Sequence, residues 1–292
     1  MLPEFDLVIP QTLQEALLSL RQGVHPLPSP LAGGTNLVVD MRSGRCSPAV
    51  LVNINDLPEL HQIKLVGEKL KIGGTVTIAE LQTNPLVKKV CPILTEAANS
   101  FANPLVRNRA TVGGNLVDAS PAADTAPPLL VLDAEVELIG LAGSRRLPLK
   151  DFFIGARKTV IQPGELLAAV YLHAARPTVA SAYYKIGLRK ADAIAVVSAA
   201  VLVGKEAGQA CTKVRIALGS VAPLPMRAFK AEAALEGSLL SQAAIQQAGA
   251  IAAGEASPIS DLRASAEYRR RMVEVVVCRL LKQIAAQFQP EE

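Results

Sequence analysis

Two pairs of adjacent glycines, each among small polar residues, are the features of this chain best suited to hold a charged ligand. The first pair lies in the stretch from Gly33 to Asn36 and the second in the stretch from Thr111 to Asn115. Glycine adopts positive φ without strain, and successive unpaired N–H groups in such turns can hold an anion. The second stretch shows no helix or strand periodicity, so we expect a turn there. Each pair alone is equally well explained as a tight turn, whereas the two together favour a pyrophosphate bound from both sides.

Neither glycine stretch matches the widespread phosphate loops, since both lack the Gly-x-Gly-x-x-Gly spacing of Rossmann domains and the lysine of the P-loop. No serine stands in a nucleophile elbow, and the histidines are scattered at positions 25, 61 and 173. The cysteines are too far apart to predict a zinc site or a cysteine-ligated cluster; they are Cys46, Cys91, Cys211 and Cys278. We therefore expect no catalytic side chain and no metal site, but a redox cofactor that carries the chemistry itself.

The composition argues against two classes of partner. Hydrophobic residues make up 50% of the 292 positions, aromatic residues make up 3%, and the net charge at pH 7 is +4. A single-strand nucleic-acid binder needs aromatic platforms in a basic groove, and the longest basic run, Arg269–Arg271, is better explained as a solvated helix face. Neither a signal peptide nor an apolar run of about 18 residues is present. We expect a cytoplasmic protein that binds no nucleic acid and does not insert into a membrane.

The elements around the first glycine pair are predicted to place it at a helix N-terminus. Thr12–Glu15 is typical of a capping box, and residues 39–42 predict a short helix after the glycines. Unpaired N–H groups and the helix dipole favour anions at such a position. A second capping box, Thr77–Glu80, begins another helix, and Pro92–Phe101 predicts a helix that Asn103-Pro104 ends.

The sequence pattern changes at residues 174–178, where we expect a domain boundary. A chain of this length exceeds one compact core, so two or three subdomains are predicted. Residues 129–139 and 168–172 predict strands before the boundary. After it, three strands of a small antiparallel sheet precede three helices. The strands are Tyr183–Ile186, Ala193–Val203 and Lys213–Ser220, and the helices are Arg227–Leu235, Ser241–Ala253 and Ala266–Phe288.

Four stretches, in this order and spacing, resemble the FAD-binding medium subunit, or middle domain, of the molybdenum hydroxylases, which include xanthine dehydrogenase and carbon monoxide dehydrogenase. The similarity extends over nearly the whole chain. The stretches are Ala32-Gly33-Gly34-Thr35-Asn36-Leu37; Thr111-Val112-Gly113-Gly114-Asn115-Leu116 with Ala119-Ser120-Pro121-Ala122-Ala123-Asp124; Phe152-Phe153-Ile154-Gly155-Ala156-Arg157-Lys158-Thr159; and Tyr184-Lys185 with Arg189 and Asp192-Ala193-Ile194-Ala195.

The resemblance implies an α+β fold of the vanillyl-alcohol-oxidase type. A two-part FAD-binding domain would occupy residues 1–177, with a small N-terminal α/β part at 1–56 and a middle α/β part at 57–177. A C-terminal domain of the carbon monoxide dehydrogenase flavoprotein type would occupy residues 178–292. It would contain a three-stranded antiparallel sheet and a helix bundle, in agreement with the pattern of strands and helices above.

The resemblance also implies which residues contact FAD. They are Leu31, Ala32, Gly33, Gly34, Thr35, Asn36, Leu37, Val38, Phe101, Thr111, Val112, Gly113, Gly114, Asn115, Asp124, Leu167 and Lys185. Asp124 would accept hydrogen bonds from ribose or adenosine hydroxyls, or else cap a helix. Lys185 would stabilise negative charge near the reduced flavin or contact the phosphates, or else be a solvated strand lysine. Phe101 would touch the flavin or pack in the core. Arg157 and Lys158 belong to the family pattern, which implies no particular role for either.

The function implied is an oxidoreductase subunit that transfers electrons. Electrons from a molybdopterin-binding large subunit would pass through the [2Fe–2S] clusters of a second partner to FAD, and leave to NAD, oxygen, a quinone or another carrier. One alternative is a self-sufficient FAD-dependent reductase or oxidase of the same fold. Another is an assembly partner that has lost its FAD site. A side chain at Gly114 is predicted to block the approach of the cofactor phosphates.

Overall fold

The computed structural model describes residues 2–21, 27–173, 179–189, 192–205 and 210–288. His25 and the expected boundary at 174–178 lie outside these ranges. The strands are β1 (Asp6–Val8), β2 (Ser29–Leu31), β3 (Val50–Asn53), β4 (Ile63–Val66), β5 (Lys69–Gly73), β6 (Glu135–Gly140), β7 (Gly143–Pro148), β8 (Phe153–Gly155), β9 (Lys158–Thr159), β10 (Leu166–His173), β11 (Val179–Ile186), β12 (Val197–Gly204), β13 (Lys213–Gly219) and β14 (Met226–Arg227).

Helices alternate with the first three strands, a run of helices follows β5, and the last helices follow β14. They are α1 (Leu13–Ser19), α2 (Leu37–Arg42), α3 (Ile78–Thr83), α4 (Pro85–Val90), α5 (Pro92–Ser100), α6 (Pro104–Arg107), α7 (Val112–Val117), α8 (Ala126–Val131), α9 (Phe229–Leu235), α10 (Gln242–Glu255) and α11 (Ala266–Gln287). Short 3₁₀ helices lie at Pro58–Leu60 and Leu149–Asp151.

A small parallel sheet of order β1-β3-β2 forms the N-terminal part. Helix α1 packs on it through Ala16 and Leu17, and the Thr12 hydroxyl caps this helix by accepting from Glu15 N at 3.1 Å. Leu166 and Ala168 of β10 belong to the same buried cluster. The N-terminal sheet and the next sheet therefore share one core, which fixes β2 and the loop after it against the middle of the molecule.

The middle part is an antiparallel sheet of order β4-β5-β10-β6-β7 with helices α3 to α8 packed beside it. The capping box predicted at Thr77–Glu80 is confirmed, because the Thr77 hydroxyl accepts from Glu80 N while the Glu80 carboxylate accepts from Thr77 N. Residues 129–139, predicted as one strand, are instead the end of helix α8 followed by strand β6. Pro127 and Pro128 lie in the first turn of α8, where a missing N–H costs no hydrogen bond.

The C-terminal part is an antiparallel sheet of order β11-β12-β13-β14 covered by α9, α10 and α11. The prediction of three strands omitted the edge strand β14, which has two residues. One of them, Arg227, was assigned to a helix that begins only at Phe229. The second predicted strand begins at Val197, four positions later than Ala193. Two residues give too little alternation to reveal a strand, so only pairing with β13 defines it.

Helix α7 corrects the expectation of an irregular turn after Thr111. Two glycines weaken helix propensity, which is why periodicity gave no signal. The Thr111 hydroxyl accepts from Gly114 N at 3.0 Å and caps the helix. The second glycine pair therefore lies in the first turn of a helix.

Candidate cofactor site

A cavity of about 840 Å³ opens between the N-terminal sheet, helix α7, the residues before β10 and the loop after β11. Most of the residues predicted to contact the cofactor line it. The exceptions are Leu31, Val38, Val112 and Lys185. Leu31 and Val38 flank the first glycine pair, and their side chains lie near Gly34. The fold thus brings the two glycine pairs, Phe101, Asp124 and Leu167 to one cavity.

We call residues 32–37 the first glycine segment. In the described part of the chain, the N–H groups from Gly33 to Leu37 have no hydrogen-bond partner in the protein. Gly34 has φ +70°, a conformation that favours glycine. The Asn55 side chain holds the segment from behind, donating to Ala32 O at 3.0 Å. A row of unpaired donors at the start of α2, facing the cavity, is suited to a phosphate group.

Besides its unpaired N–H group, Gly33 also allows close packing of two backbone segments. A Cβ at this position would lie 1.8 Å from Arg109 O, far inside any permitted contact. The first glycine segment therefore touches the backbone just before Thr111. Absence of a side chain at Gly33 lets the two walls of the cavity meet.

We call residues 111–118 the second glycine segment, and its N–H groups are already paired. Val112 N donates to Val76 O at 2.9 Å, Gly113 N to Gly74 O at 2.8 Å, and Gly114 N to the Thr111 hydroxyl. The expectation of an open nest of N–H groups here is wrong, because the helix cap and the neighbouring chain satisfy them. The segment forms a wall of the cavity on which Gly114 is exposed.

Gly74 is a residue that the sequence analysis missed. It lines the cavity, and a Cβ there would lie 2.1 Å from Leu167 O, while a Cβ at Gly113 would lie 2.6 Å from Gly74 O. Three backbones, at 74, 113 and 167, therefore pack without intervening side chains. The adjacent glycines at 73 and 74 were the signal for this close packing.

Polar and apolar groups complete the lining. The Asn115 side-chain oxygen accepts from the Thr125 hydroxyl at 2.6 Å, which fixes the orientation of the amide at the cavity. Phe101 is buried at the C-terminal end of α5, and Leu167 lies at a β-bulge of β10. Both side chains offer apolar surface to a planar ligand.

Asp124 and Lys185 form a buried ion pair. Lys185 Nζ lies 2.6 Å from Asp124 Oδ2 and also donates to Ser100 O at 3.2 Å, while Tyr183 OH donates to Asp124 Oδ1 at 3.3 Å. Burial raises the pKa of the Asp124 carboxyl, although Lys185 opposes the shift. Asp124 lines the cavity.

Two alternatives considered for this pair are wrong. Helix α8 begins after Thr125, so Asp124 is not its cap. The Lys185 side chain is only 6% exposed, so it is not a solvated strand lysine.

Cys91 is the most deeply buried thiol with a perturbed acidity. Burial alone raises the pKa of Cys91 to about 12, so the thiol stays protonated at neutral pH.

The comparisons with known proteins identify the family. Residues 3–173 match the family described as the FAD binding domain in molybdopterin dehydrogenase. The chain belongs to this family. Residues 182–284 match a second family, described as the CO dehydrogenase flavoprotein C-terminal domain. FAD is therefore the cofactor, and the mixed α and β fold with a two-part FAD-binding domain followed by a C-terminal domain is confirmed.

Relatives match over almost their whole length. The chain is 32% identical to the carbon monoxide dehydrogenase medium chain of Hydrogenophaga pseudoflava, covering 96% of both chains. It is 29% identical to the nicotinate dehydrogenase FAD-subunit of Eubacterium barkeri, covering 98% of both. These relatives are dehydrogenase subunits, which confirms the oxidoreductase class.

Solved structures agree with this assignment. The carbon monoxide dehydrogenase structure from Hydrogenophaga pseudoflava superposes with a TM-score of 0.94 at 32% identity, covering 99% of this chain and 100% of that one. The quinoline 2-oxidoreductase structure from Pseudomonas putida 86 gives 0.92 at 28% identity, covering 99% of each chain.

The donors at the cavity fit this cofactor. A pyrophosphate is an anion that accepts several hydrogen bonds, and the row of unpaired N–H groups in the first glycine segment provides donors without a competing partner.

Among the described residues, no helix is long and apolar enough to cross a membrane.

Proposed function

We propose that this chain is the electron-transfer subunit of a heteromeric molybdenum hydroxylase. Its partners would be a [2Fe–2S] iron–sulfur subunit and a molybdopterin-binding large subunit. When bound, FAD supplies the ability to accept single electrons and to release them in pairs. Electrons would arrive from the iron–sulfur clusters and leave to NAD or another acceptor. The observation that carries this proposal is the unpaired N–H row in the cavity of a chain that belongs to an FAD-binding family.

The first glycine segment would bind the FAD pyrophosphate. Its N–H groups would donate to phosphate oxygens, and the Thr35 and Asn36 side chains, which line the cavity, would add donors. Leu31 and Val38 would hold the backbone of the segment in place. The negatively charged pyrophosphate would thus lie against the first glycine segment, whose N–H groups are unpaired.

The second glycine segment would shape the cavity. Gly114 would allow the cofactor close to helix α7, and Asn115 would present its oriented amide to it. Val112 is buried and would act by packing α7 on the core. Phe101 and Leu167 would provide apolar surface for the ring system.

Asp124 would accept a hydrogen bond from a cofactor hydroxyl. Each of its oxygens already accepts one bond from the protein, and a carboxylate oxygen has a second lone pair available. Lys185 would act through Asp124, since its charge faces that carboxylate and its side chain does not line the cavity.

The domain limits at 56/57 and 177/178, and a cytoplasmic location, stay predictions.

The names of relatives support a role within a complex. One is called the medium chain of carbon monoxide dehydrogenase, and another is subunit alpha of the 6-hydroxypseudooxynicotine dehydrogenase complex of Paenarthrobacter nicotinovorans. Their substrates differ while this type of chain is shared, so we infer that a different polypeptide recognises the substrate.

Purification from the native cell tests the proposal. We expect the chain to co-purify with an iron–sulfur protein and a molybdopterin protein, and the isolated chain to bind FAD without oxidising substrate. Turnover by the isolated chain with NAD(P)H would instead support a self-sufficient flavoenzyme. A chain that takes up no FAD, alone or in its complex, would contradict both.

A variant at Gly114 tests the cavity assignment. We expect Gly114→Val to weaken FAD binding at least about tenfold, because the side chain projects from the exposed face of α7. Its Cβ would also lie 2.9 Å from the Thr111 hydroxyl, so the free energy of unfolding is measured in parallel. Gly254→Val, at an exposed helix position with nothing within 4 Å, is the control. Wild-type FAD content in Gly114→Val would contradict the assignment.

A further inference from the structure

Three separate segments of the chain meet at the guanidinium of Arg157. Arg157 lies in the turn between β8 and β9, and its Nη2 contacts Asp40 and lies 3.2 Å from Asp118 Oδ1. Asp40 belongs to α2, which begins at the last residue of the first glycine segment. Asp118 is the last residue of the second glycine segment. One side chain therefore connects the two walls of the cavity, and all three residues line it.

The two carboxylates are held in the protein and do not extend into solvent. The side chains of Asp40 and Asp118 are 12% and 10% exposed, so their negative charges need a nearby cation. Arg45 also contacts Asp40, but it reaches no residue of the second glycine segment, and the Arg45 and Arg157 side chains are similarly exposed, at 59% and 50%. Among the described residues, Arg157 alone forms ion pairs with both walls.

The backbone of Arg157 supports a specific role for the side chain. Its φ is +56°, at the second position of a two-residue turn, where glycine or asparagine is usual. Its N–H donates to Ala119 O at 2.9 Å, next to Asp118. An arginine in a conformation that favours glycine indicates that the guanidinium, more than the turn, requires this residue.

We propose that Arg157 is a positioning residue of the cofactor site. It acts through Asp40 and Asp118 to fix the distance between the first glycine segment and α7, so that the N–H row is preorganised before FAD arrives. The inference rests on the proposed function, because it concerns how this chain holds FAD. A purely structural ion pair would contribute to stability without affecting the cofactor.

The experiment compares four forms of the full chain stripped of FAD: wild type, Arg157→Gly, Arg157→Lys and Arg215→Ala. Arg215 also joins two carboxylates, those of Asp133 and Glu236, but it does not line the cavity. For each form, a fluorescence titration gives the Kd for FAD, and thermal unfolding gives Tm. Hydrogen–deuterium exchange of the amides at 38–42, in α2, and at 112–118, in α7, reports how firmly the two segments are held.

We expect Arg157→Gly to raise the Kd for FAD about tenfold, because preorganisation is lost. Its Tm should fall only slightly, because relief of the positive φ offsets part of the cost of leaving Asp40 and Asp118 without their cation. Exchange at 38–42 should be faster without FAD. Arg157→Lys, which can pair with one carboxylate, should be intermediate in Kd and allows the test if Arg157→Gly does not fold. Arg215→Ala should lower Tm and leave the Kd within twofold.

Three outcomes would overturn the inference. The first is a Kd within twofold of wild type in Arg157→Gly, and the second is unchanged exchange at 38–42. The third is a parallel loss of Tm and affinity of equal size in Arg157→Gly and Arg215→Ala, which would indicate a general stability effect. Failure of the wild-type chain to bind FAD would refute the proposed function, and the exchange measurement would still decide whether Arg157 fixes the two segments.

Discussion

The two glycine segments are alike in sequence and different in structure. In the first, the N–H groups from Gly33 to Leu37 are unpaired among the described residues, and Gly34 has positive φ. In the second, Gly113 and Gly114 lie in the first turn of α7, with both N–H groups already bonded. The same dipeptide thus leaves N–H donors unpaired at the cavity in one place and has them bonded within the protein in the other.

A glycine pair at a cavity can be required for the packing of the protein itself as well as for the binding of a ligand. Gly33 faces the carbonyl of Arg109, and Gly113 faces that of Gly74. One glycine of each pair is therefore needed where two backbones meet. All four glycines line the cavity, and a Cβ at Gly34 or Gly114 would meet only side chains.

The largest expected effect is at Gly33. A methyl group there would overlap the Arg109 carbonyl, so we expect Gly33→Ala to move the two walls apart, to abolish FAD binding and to lower the free energy of unfolding by about 4 kcal/mol. Flavin content and urea unfolding measure these effects. Gly254→Ala, at an exposed helix position, is the control and should be neutral or stabilising. Full flavin content in Gly33→Ala would contradict the close packing of the walls.

The next effect concerns the buried ion pair of Asp124 and Lys185 at the cavity. Lys185→Met leaves this carboxylate buried without its cation, and we expect a loss of about 3 kcal/mol in the free energy of unfolding near neutral pH. Replacing both residues, with Asp124→Asn added, should recover much of the loss. Equal stability of Lys185→Met and wild type would show that the pair does not stabilise the fold.

The pH dependence of this loss has a definite sign. Burial already raises the pKa of Asp124, and removal of Lys185 removes an interaction that lowers it. A carboxyl with a raised pKa in the folded state binds its proton more tightly there than when unfolded, so the folded state gains stability as the pH falls. The deficit of Lys185→Met should therefore shrink between about pH 8 and about pH 5. Urea unfolding across this range measures it, and a deficit that grows on acidification would refute the assignment.

A smaller effect is expected at Thr35, where the substitution tests whether a side-chain hydroxyl of the protein donates to FAD. Thr35→Val keeps the shape and removes a hydroxyl that faces the cavity, so we expect about tenfold weaker FAD binding, or about 1.4 kcal/mol. The free energy of unfolding without FAD should be unchanged, because no protein partner of this hydroxyl is found among the described residues. A titration with FAD and urea unfolding of the apoprotein give the two values.

The same substitution in the second segment should give the opposite result, and it is the smallest effect. Thr111→Val removes the cap of α7, so we expect the free energy of unfolding to fall by about 1 kcal/mol. FAD affinity should change less than in Thr35→Val. If Thr111→Val weakened FAD binding more than Thr35→Val, the proposed division of work between the segments would be reversed.

Sequence patterns with a local cause were predicted correctly. The capping box at Thr77–Glu80 is satisfied within four residues, and the C-terminal order of strands followed by helices rests on local periodicity. Predictions failed where a distant partner overrides a weak local signal. Strand β14 depends on pairing with β13, and α7 forms around two glycines because Thr111 caps it and Val76 and Gly74 accept its first N–H bonds.

The motifs that resemble the family are contiguous and keep their spacing, so the sequence alone predicts the cofactor class and a set of residues most of which line the cavity. Only the tertiary structure decided which N–H groups are unpaired, that Asp124 faces Lys185, and that Arg157 contacts both walls. The physical reason is distance along the chain: Arg157 and Asp40 are 117 positions apart, and Asp124 and Lys185 are 61 apart. Hydrogen bonds and ion pairs between such residues exist only once the chain has folded.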